Sequence, residues 1–560
     1  MSSTPAPSPT AGNHAGLAAD DGRAPLPRGR SRAGVRASLA TGALAALLLA
    51  SLSPAAPMAS AAVAAVPAAA SSDASATASA TADANTTATQ PGSALLGQES
   101  PGRIDRRSGS ASGTTLSAAA SVKRIKVGKK ERLTVLVNLK SWSKLAGADK
   151  VAKAHGAKRT ASWSALSVAV YALPNGASVT KAEAFTAALR KNSGVTSAGI
   201  SGRIEAQPKP VSRINTSRIK PKAAVGDIAR LADSVRANKI ATGKGVTVGV
   251  ADEGVFDENP AVRGAVRTSL GASCVTGGAL ASGSTQGRPV AAGAGHGTAV
   301  SNVIAGSTKV GANRGIAPGA KIASVRVVTV DGHIFPESSI CAQMWAVKHK
   351  LPILNMSYGV DWAGALPGGN LWDLKWRDHA AVYTAMKRSQ DYAYKRGVLT
   401  VAAAGNDGAD IARKYELEDA FTGESFSSKM RLLPAELPKV LTVSMTEASR
   451  KIDPYSNVGL KVVDIAAQGT GVLATNRTRF EEMGGTSFAS PAVAATAALV
   501  KQKHPKFSPG SLSWRLQSTA TKRTCSKAGW IYTEQRCRTA SGRTNFFGAG
   551  TVNAYQAVRK

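Results

Sequence analysis

Three short motifs place an acid, an imidazole and a hydroxyl at predicted strand or helix ends. The strand-like run GVTVGVA leads directly into Asp252, GHGTAVSNVIAG places His296 at a helix start, and GGTSFASPAVAATAALV does the same for Ser487. A serine hydroxyl becomes nucleophilic when an imidazole accepts its proton, and a carboxylate fixes the imidazole tautomer. The three side chains therefore predict nucleophilic hydrolysis. We expect Pro491 in the first turn of the serine helix, where a missing amide hydrogen is harmless.

A fourth motif, VAAAGNDG, ends a predicted strand near Asn406, whose side-chain amide could donate to a developing oxyanion. Backbone amides at the helix start beside Ser487 would supply a second donor. Taken singly, each motif has a structural interpretation, because Asp before Gly is common in turns and Ser or His often caps a helix. The ordered combination favours catalysis.

The elements around these motifs predict an α/β fold. Beyond residue 240, near-continuous apolar runs alternate with helical segments: GVTVGVA, KIASVRVV, PILNMS, GVLTVAAA, KVLTVSM and VVDIAA. Runs of this kind are typical of strands buried on both faces of a parallel sheet. Sites in such open sheets lie at the carboxyl ends of strands, where the motifs fall.

Together these motifs resemble the subtilase family of serine proteases. The resemblance extends over nearly all of residues 240 to 560 through NRGIAPGAKIASVRVV, NMSYG, PAELPKVLTVSM and FGAGTVNAYQAV. It implies a subtilisin-like endopeptidase that forms an acyl-enzyme, with Asp252 orienting, His296 as general base, Ser487 as nucleophile and Asn406 in the oxyanion hole. It also implies substrate-binding residues at two strand ends: Ser357, Tyr358, Gly359, Ala404 and Gly405.

The sequence departs from the family pattern at three places. Glu253 stands where a small hydroxyl residue is usual, and we expect it to alter the charge beside Asp252 and the pH profile. Ala299 replaces a common second histidine, with little expected effect. The segment between Asn406 and Pro434 is longer than usual and acidic; it indicates either a preference for basic substrates or, as we favour, solvated carboxylates: Glu416, Glu418, Asp419 and Glu424.

The amino-terminal region has the composition of an export signal followed by a linker. Arginines precede the apolar run ASLATGALAALLLASL, and the small residues Ala59, Ser60 and Ala61 follow it. The run is shorter than the roughly 20 residues of a membrane-spanning helix, so residues 1–61 are predicted to be a signal peptide, with a retained anchor as the alternative. Residues 62–128, rich in Ala, Ser and Thr, are predicted to be a disordered linker. The mature protein is predicted to have no membrane span and to be secreted.

Residues 129–207 predict a small α+β domain of ferredoxin-like type. Strand, helix, strand, helix and strand follow in order, with room for one more strand, and Thr180 with Glu183 predicts a capping box. The segments VAKAHGAKRTASWSALSVAVYAL and FTAALRKNSGVTSAGI resemble an inhibitor-type propeptide, which implies a folding template that blocks the cleft. A small binding module is the alternative. The resemblance implies a processing junction between Glu205 and Lys222, and residues 208–560 form the predicted catalytic domain.

Charge and cysteine content limit the other functions. The net charge of +35 attracts anionic surfaces, but no ladder of aromatic residues accompanies the Lys and Arg, so we favour a solvated basic surface over specific nucleic-acid binding. The even number of cysteines in an exported chain favours disulfides, although sequence alone leaves the pairing and free thiols open. Proximity suggests Cys525 with Cys537, which leaves Cys274 with Cys341.

No cofactor is needed for the predicted chemistry. Structural calcium is implied only by the family resemblance, since no EF-hand-like loop occurs in the sequence. The expected partners are protein or peptide substrates and the chain's own propeptide, and we expect a monomer. Two alternatives stay open: a catalytically silent, basic surface-binding protein on the same scaffold, and a processing enzyme dedicated to one partner.

Overall fold

The protein is represented by a computed structural model. It describes residues 127–207, 209–211, 227–290, 294–310, 314–361, 371–413, 427–476, 478–525 and 536–559. These residues all belong to one compact unit that runs from Ala88 to Lys560. The predicted signal peptide, nearly all of the predicted linker and the acidic residues Glu416, Glu418, Asp419 and Glu424 lie outside the described residues.

The first part of the described chain is a four-stranded antiparallel sheet covered by two helices, with strand order β2-β3-β1-β4. This βαββαβ order is the ferredoxin-like arrangement expected from the sequence, and β2 is the extra strand for which the sequence left room. The elements are β1 Arg132–Leu139, α1 Leu145–Ala154, β2 Lys158–Trp163, β3 Val168–Ala172, α2 Val179–Lys191 and β4 Val195–Ile204.

Helix α2 begins earlier than the predicted capping box requires. The N-cap is Ser178, whose hydroxyl accepts a hydrogen bond from Lys181 N at 3.3 Å. Thr180 is already inside the helix, so the capping box predicted from Thr180 and Glu183 is wrong. Ser178 has extended backbone angles, which an N-cap residue needs and a residue within the first turn lacks.

Strand β1 is buried along nearly its whole length because each of its faces meets a different partner. Four alternate residues pack beneath α1 and α2: Leu133, Val135, Val137 and Leu139. On the opposite face, Leu136 belongs to a hydrophobic core of the following α/β domain. Beside it, Thr134 Oγ1 donates to Glu337 Oε1 at 2.6 Å, and Asn138 Nδ2 donates to Ala381 O at 2.8 Å. The small domain is thus docked on the large one through its sheet.

The second part is an α/β domain built on an eight-stranded sheet, ordered β14-β13-β11-β9-β5-β8-β6-β7. All neighbours are parallel except β6 and β7. The α/β class predicted from the sequence is therefore confirmed. The strands are β5 Thr247–Asp252, β6 Ala272–Thr276, β7 Ala279–Ser282, β8 Lys321–Arg326, β9 Ile353–Met356, β11 Leu399–Ala403, β13 Leu441–Thr446 and β14 Ile465–Gln468.

Helices cover both faces of this sheet, so its strands contribute side chains alternately to two cores. Val248 and Val250 of β5 lie in the core that also contains the helices α5 and α8, while Ala251 faces the core of α6 and α7. The helices of this domain are α3 Asp227–Leu231, α4 Ser234–Ala237, α5 His296–Ala305, α6 Pro336–Lys348, α7 Arg377–Lys395, α8 Thr486–Lys503, α9 Pro509–Ser518 and α10 Ala554–Arg559.

Short hairpins and two disulfides complete the domain. Disulfides join Cys274 to Cys341 and Cys525 to Cys537, the pairing that the sequence suggested. Within the described ranges, no helix has both the length and the apolar character to cross a membrane. Two-stranded antiparallel sheets are formed by β10 Leu371–Asp373 with β12 Met430–Leu432, by β15 Val472–Thr475 with β16 Phe480–Met483, and by β17 Thr539–Ala540 with β18 Arg543–Thr544.

Candidate active site

The acid and the imidazole meet where a central strand ends and a helix begins. Asp252 is the last residue of β5, which lies between β8 and β9, and His296 is the first residue of α5. His296 Nδ1 lies 3.0 Å from both Oδ1 and Oδ2 of Asp252. Both side chains are buried, with 2% and 8% of the residue exposed for Asp252 and His296. The carboxylate therefore occupies Nδ1 and leaves Nε2 as the ring atom that can exchange a proton.

The electrostatic surroundings favour a protonated imidazole. Burial of His296 opposes its positive charge, but the charge and hydrogen bond of Asp252 outweigh burial, and the pKa of His296 is raised above its usual value. Its Nε2 atom is buried and has no hydrogen-bond partner within the described chain. A buried nitrogen without a partner is costly in a folded protein, so its retention is consistent with a reacting proton.

Ser487 lies at the start of α8, one residue before a ring that approaches His296. It is the second residue of the helix, and the ring of the next residue, Phe488, lies 5.5 Å from the His296 ring between centroids. In this structure Ser487 Oγ donates to the Ser357 carbonyl oxygen at 3.2 Å. The structure thus brings Asp252 and His296 into contact. The Ser487 hydroxyl is instead hydrogen-bonded to the backbone of Ser357, the residue that follows β9.

Pro491 lies deeper in the serine helix than the sequence suggested. Helix α8 begins at Thr486, so Pro491 is its sixth residue, and the expectation of a first-turn proline is wrong. Its missing N–H would have bonded to the carbonyl four residues earlier, which is that of Ser487. Ser357 Oγ donates to this Ser487 carbonyl instead, at 2.9 Å. The proline therefore frees a backbone oxygen that ties the serine to β9.

Asn406 is held by the residue before the serine. Its Oδ1 accepts from Thr486 N and Thr486 Oγ1, both at 2.8 Å. Thr486 Oγ1 also accepts from Gly405 N at 3.1 Å. Because Oδ1 is committed to Thr486, Nδ2 is left as the donor, and a Cβ at Gly485 would lie 3.4 Å from it. Thr486 had no role among the sequence predictions, although its place beside Ser487 was the available signal.

The predicted substrate-binding residues lie at the carboxyl ends of adjacent strands β9 and β11. Gly405 has φ +99°, and a side chain there would collide with Asn457, so glycine is required. Ala404 is buried and its N–H donates to Val443 O at 2.9 Å. Tyr358 is also buried, with its hydroxyl 3.2 Å from Ser339 Oγ, and burial raises its pKa. Residues Ser357 to Gly359 directly follow the last residue of β9.

The docked ferredoxin-like domain is fixed to the α/β domain mainly through α7. Arg388 Nη1 lies 3.2 to 3.3 Å from three carbonyl oxygens of the small domain, those of Leu139, Leu166 and Ser167. Asp378 Oδ1 accepts from Ile200 N at 2.7 Å. Backbone groups of the small domain are thus satisfied by side chains of the large one.

The end of the small domain carries a group of ionisable side chains facing the loop before α6. Arg203 pairs with Glu205 at 2.6 Å and with Asp331 at 3.0 Å. Burial and a hydrogen bond with Asp331 raise the pKa of Glu205 to about 8. Burial opposes ionisation of Asp331 too, but hydrogen bonds from Glu205 and Thr329 hold its pKa below the usual range. The two carboxyl groups therefore share one proton near neutral pH.

Side-chain geometry shows no cluster of metal ligands within the described ranges. In the part of the chain that the structure describes, no three His, Cys, Asp or Glu side chains converge as a possible metal site. The structural calcium that the family resemblance implies stays a prediction.

Comparison with known proteins places these features in a family context. The model of the subtilase family matches residues 243–550. Subtilisin BL of Lederbergia lenta is 30% identical over 336 residues, 59% of this chain and 97% of that protein. Subtilisin DY of Bacillus licheniformis is 29% identical over 291 residues, 52% of this chain and 88% of that protein. The epidermin leader peptide processing serine protease of Staphylococcus aureus has a similar structure, with TM-score 0.57 and 20% identity, covering 76% of this chain and 98% of that one. This likeness confirms a subtilisin-like fold.

Proposed function

The chain belongs to the subtilase family and is a serine-type endopeptidase, and we propose that Asp252, His296 and Ser487 hydrolyse the peptide bond through an acyl-enzyme. The observation that carries this assignment is the Asp252–His296 pair, whose two oxygens hold Nδ1 at 3.0 Å and leave a buried Nε2 without a partner. No cofactor takes part in the proposed chemistry.

In the proposed mechanism, the Ser487 hydroxyl turns from the Ser357 carbonyl to His296 Nε2 when substrate binds. A hydroxyl can rotate about its side-chain bond to change partners. His296 then accepts the hydroxyl proton as Ser487 Oγ attacks the substrate carbonyl carbon, and it returns the proton to the leaving amine. Asp252 keeps Nδ1 protonated and stabilises the imidazolium. A water molecule, deprotonated by His296, then attacks the acyl carbonyl carbon, and the Ser487 hydroxyl is regenerated as the acid product leaves.

Asn406 Nδ2 and the backbone N–H of Ser487 are proposed as the oxyanion donors. The bonds from Thr486 to Asn406 Oδ1 support this role, because they fix the amide plane before the reaction begins. Preorganised donors of this kind stabilise developing charge without reorganising in the transition state. We propose that backbone groups at Ser357 to Gly359 and at Ala404 and Gly405 bind the substrate chain.

We further propose that the protein is a secreted zymogen, with residues 129–207 as its inhibitory propeptide and a self-processing junction between Glu205 and Lys222. The docked small domain supports this proposal, as does the course of its end, where Gln207 Oε1 lies 3.3 Å from Arg326 Nη1. Arg326 ends β8 and is paired in register with Asp252. The segment that leaves the small domain thus runs toward the end of β5, where Asp252 lies.

Ser487→Ala tests both the nucleophile and self-processing. Expressed as the full chain in a host lacking other secreted proteases, it should accumulate with residues 129–207 still attached, whereas the control Ser449→Ala should mature. Amino-terminal sequencing of the mature control would identify the junction. Normal maturation of Ser487→Ala would refute self-processing through this residue.

Labelling by a serine-directed fluorophosphonate separates the enzyme from a catalytically silent scaffold. The mature protein should be labelled at Ser487, and the Ser487→Ala chain should not. Peptide-library profiling would then distinguish a broad endopeptidase from a processing enzyme with one partner. Absence of labelling in the mature protein would favour the silent, basic surface-binding alternative.

A further inference from the structure

Glu253 forms a contact that the proposed catalytic steps do not use. It follows Asp252 directly, and its Oε1 accepts hydrogen bonds from the backbone N–H groups of Gly295 and His296. Its own backbone N–H donates to Asp252 Oδ1 at 2.8 Å. One residue therefore touches the acid through its backbone and the backbone of the histidine through its side chain.

The start of α5 needs an acceptor from outside the helix. The first N–H groups of a helix lack intrahelical partners, and they are usually satisfied by the side chain of the N-cap residue. Here the N-cap is Gly295, which has no side chain. A carboxylate at this end also interacts favourably with the partial positive charge of the helix terminus. Glu253 thus supplies from β5's end the cap that the helix sequence lacks.

The loop that follows β5 contacts α5 at a second point, so the loop and the start of the helix are held together by more than the Glu253 side chain. Thr298 Oγ1 accepts from Phe256 N at 3.0 Å, and both residues are buried. A Cβ at Gly297 would overlap the Gly254 carbonyl oxygen, which shows how closely the loop and the helix approach. A shift of Glu253 would therefore be transmitted to the position of His296.

We propose that Glu253 is a positioning residue for His296, holding the backbone of the imidazole against β5 while its negative charge stabilises the imidazolium. This inference rests on the proposed catalytic role of His296. It assigns Glu253 a function through the histidine rather than a contact with substrate.

The charges around Glu253 couple it to both Asp252 and His296. Burial and repulsion from Asp252 raise the pKa of Glu253 to about 7, although the charge of His296 and the two amide hydrogen bonds oppose this increase. In return, Glu253 contributes to the raised pKa of His296. The other acids of the loop, Asp257 and Glu258, pair with Arg288 at 2.7 and 3.4 Å. Asp252 and His296 are therefore the charged side chains that influence the pKa of Glu253.

Two substitutions separate positioning from charge. Glu253→Gln keeps an oxygen acceptor for the amides of Gly295 and His296 but removes the charge, whereas Glu253→Ala removes both. We expect the acid limb of the pH profile of kcat/KM to move to lower pH by at least about half a unit in both variants, because His296 loses a stabilising negative charge. We expect kcat of Glu253→Ala to fall about tenfold further than that of Glu253→Gln.

Glu447→Gln is the matched control, since it removes a carboxylate from the turn between Glu447 and Lys451. It should leave both kcat and the acid limb as in the unsubstituted enzyme. An acid limb that does not move in Glu253→Gln, or equal kcat values for the two Glu253 variants, would overturn the proposal.

A measurement that needs no turnover separates this inference from the proposed function. In the full chain carrying Ser487→Ala, the His296 ring can be titrated by ¹H–¹³C NMR, with His296→Ala to assign its signal. Adding Glu253→Gln should lower the titration midpoint of His296 by at least about half a unit. An unchanged midpoint refutes the coupling. A shifted midpoint, together with no peptidase activity in the mature protein that retains Ser487, would refute only the proposed function.

Discussion

Arg388 provides a direct test of how the small domain is held. Its Nη1 atom lies 3.2 to 3.3 Å from the carbonyl oxygens of Leu139, Leu166 and Ser167, and burial lowers the pKa of the guanidinium. Arg388→Met keeps an unbranched apolar stem while removing the donors. The substitution leaves three carbonyl groups of the small domain without this partner.

The expected effect follows from the number of donors that are lost. Hydrogen bonds to charged groups contribute about 1.5–3 kcal/mol each. The three contacts of Nη1 are long, at 3.2 to 3.3 Å, and compete for two hydrogens, so we count them together as one such bond. We therefore expect the free energy of docking to fall by about 2 kcal/mol, which is about a 30-fold increase in the undocked population.

The Ile200 amide is a suitable reporter of docking. It donates to Asp378 Oδ1 at 2.7 Å, a contact between the two domains. In the uncleaved Ser487→Ala chain, hydrogen exchange of peptides spanning residues 198–202 should become about 30-fold faster on addition of Arg388→Met.

Arg396→Met is the matched control, because Arg396 is the C-cap residue of the same helix and lies over the Tyr392 ring, 5.0 Å from its centroid. Exchange at Ile200 should keep its original rate in this variant. Unchanged exchange in Arg388→Met, or an equal acceleration in Arg396→Met, would refute the role assigned to the Arg388 donors.

Two further predictions concern pH and backbone packing. Docking raises the pKa of Glu205 from 4.5 to about 8, so the protonated carboxyl stabilises docking. This stabilisation is complete below pH 4.5 and is lost as the pH rises to about 8. Exchange of the Ile200 amide, corrected for its intrinsic pH dependence, should accelerate at least about tenfold between pH 5 and 8, and Glu205→Gln should abolish this dependence. Gly297→Ala should lower both kcat/KM and the free energy of unfolding, the latter by about 1–3 kcal/mol, because its Cβ would overlap the Gly254 carbonyl oxygen. Gly264→Ala, where no atom lies within 4 Å of an added Cβ, should change neither in thermal unfolding and activity assays.

Local sequence patterns were sufficient to predict the α/β class. Apolar runs such as GVTVGVA become parallel strands buried on both faces, since burial on two sides demands apolar residues at every position. The same reasoning predicted the order of elements in the small domain. It failed at the start of α2, where Ser178 rather than Thr180 is the cap, because caps depend on backbone angles that the residue type does not determine.

The sequence also indicated which residue types could form the active site, but their partners depend on tertiary structure. Motif order predicted that Asp252 and His296 act together, and the structure places Nδ1 between both carboxylate oxygens. That the Ser487 hydroxyl bonds to Ser357, and that Pro491 frees the Ser487 carbonyl, follow from the exact start of α8 and its distance from β9.

The chain by itself determined the chemical groups, the strands that carry them and the odd residue, Glu253, beside the acid. Only the folded structure decided that the Glu253 carboxylate turns toward the amides of Gly295 and His296. It likewise decided that the second face of β1 is covered by another domain. The physical reason is the same in both cases: a local pattern specifies which groups must be buried or paired, whereas their partners come from distant segments whose positions depend on packing of the whole chain.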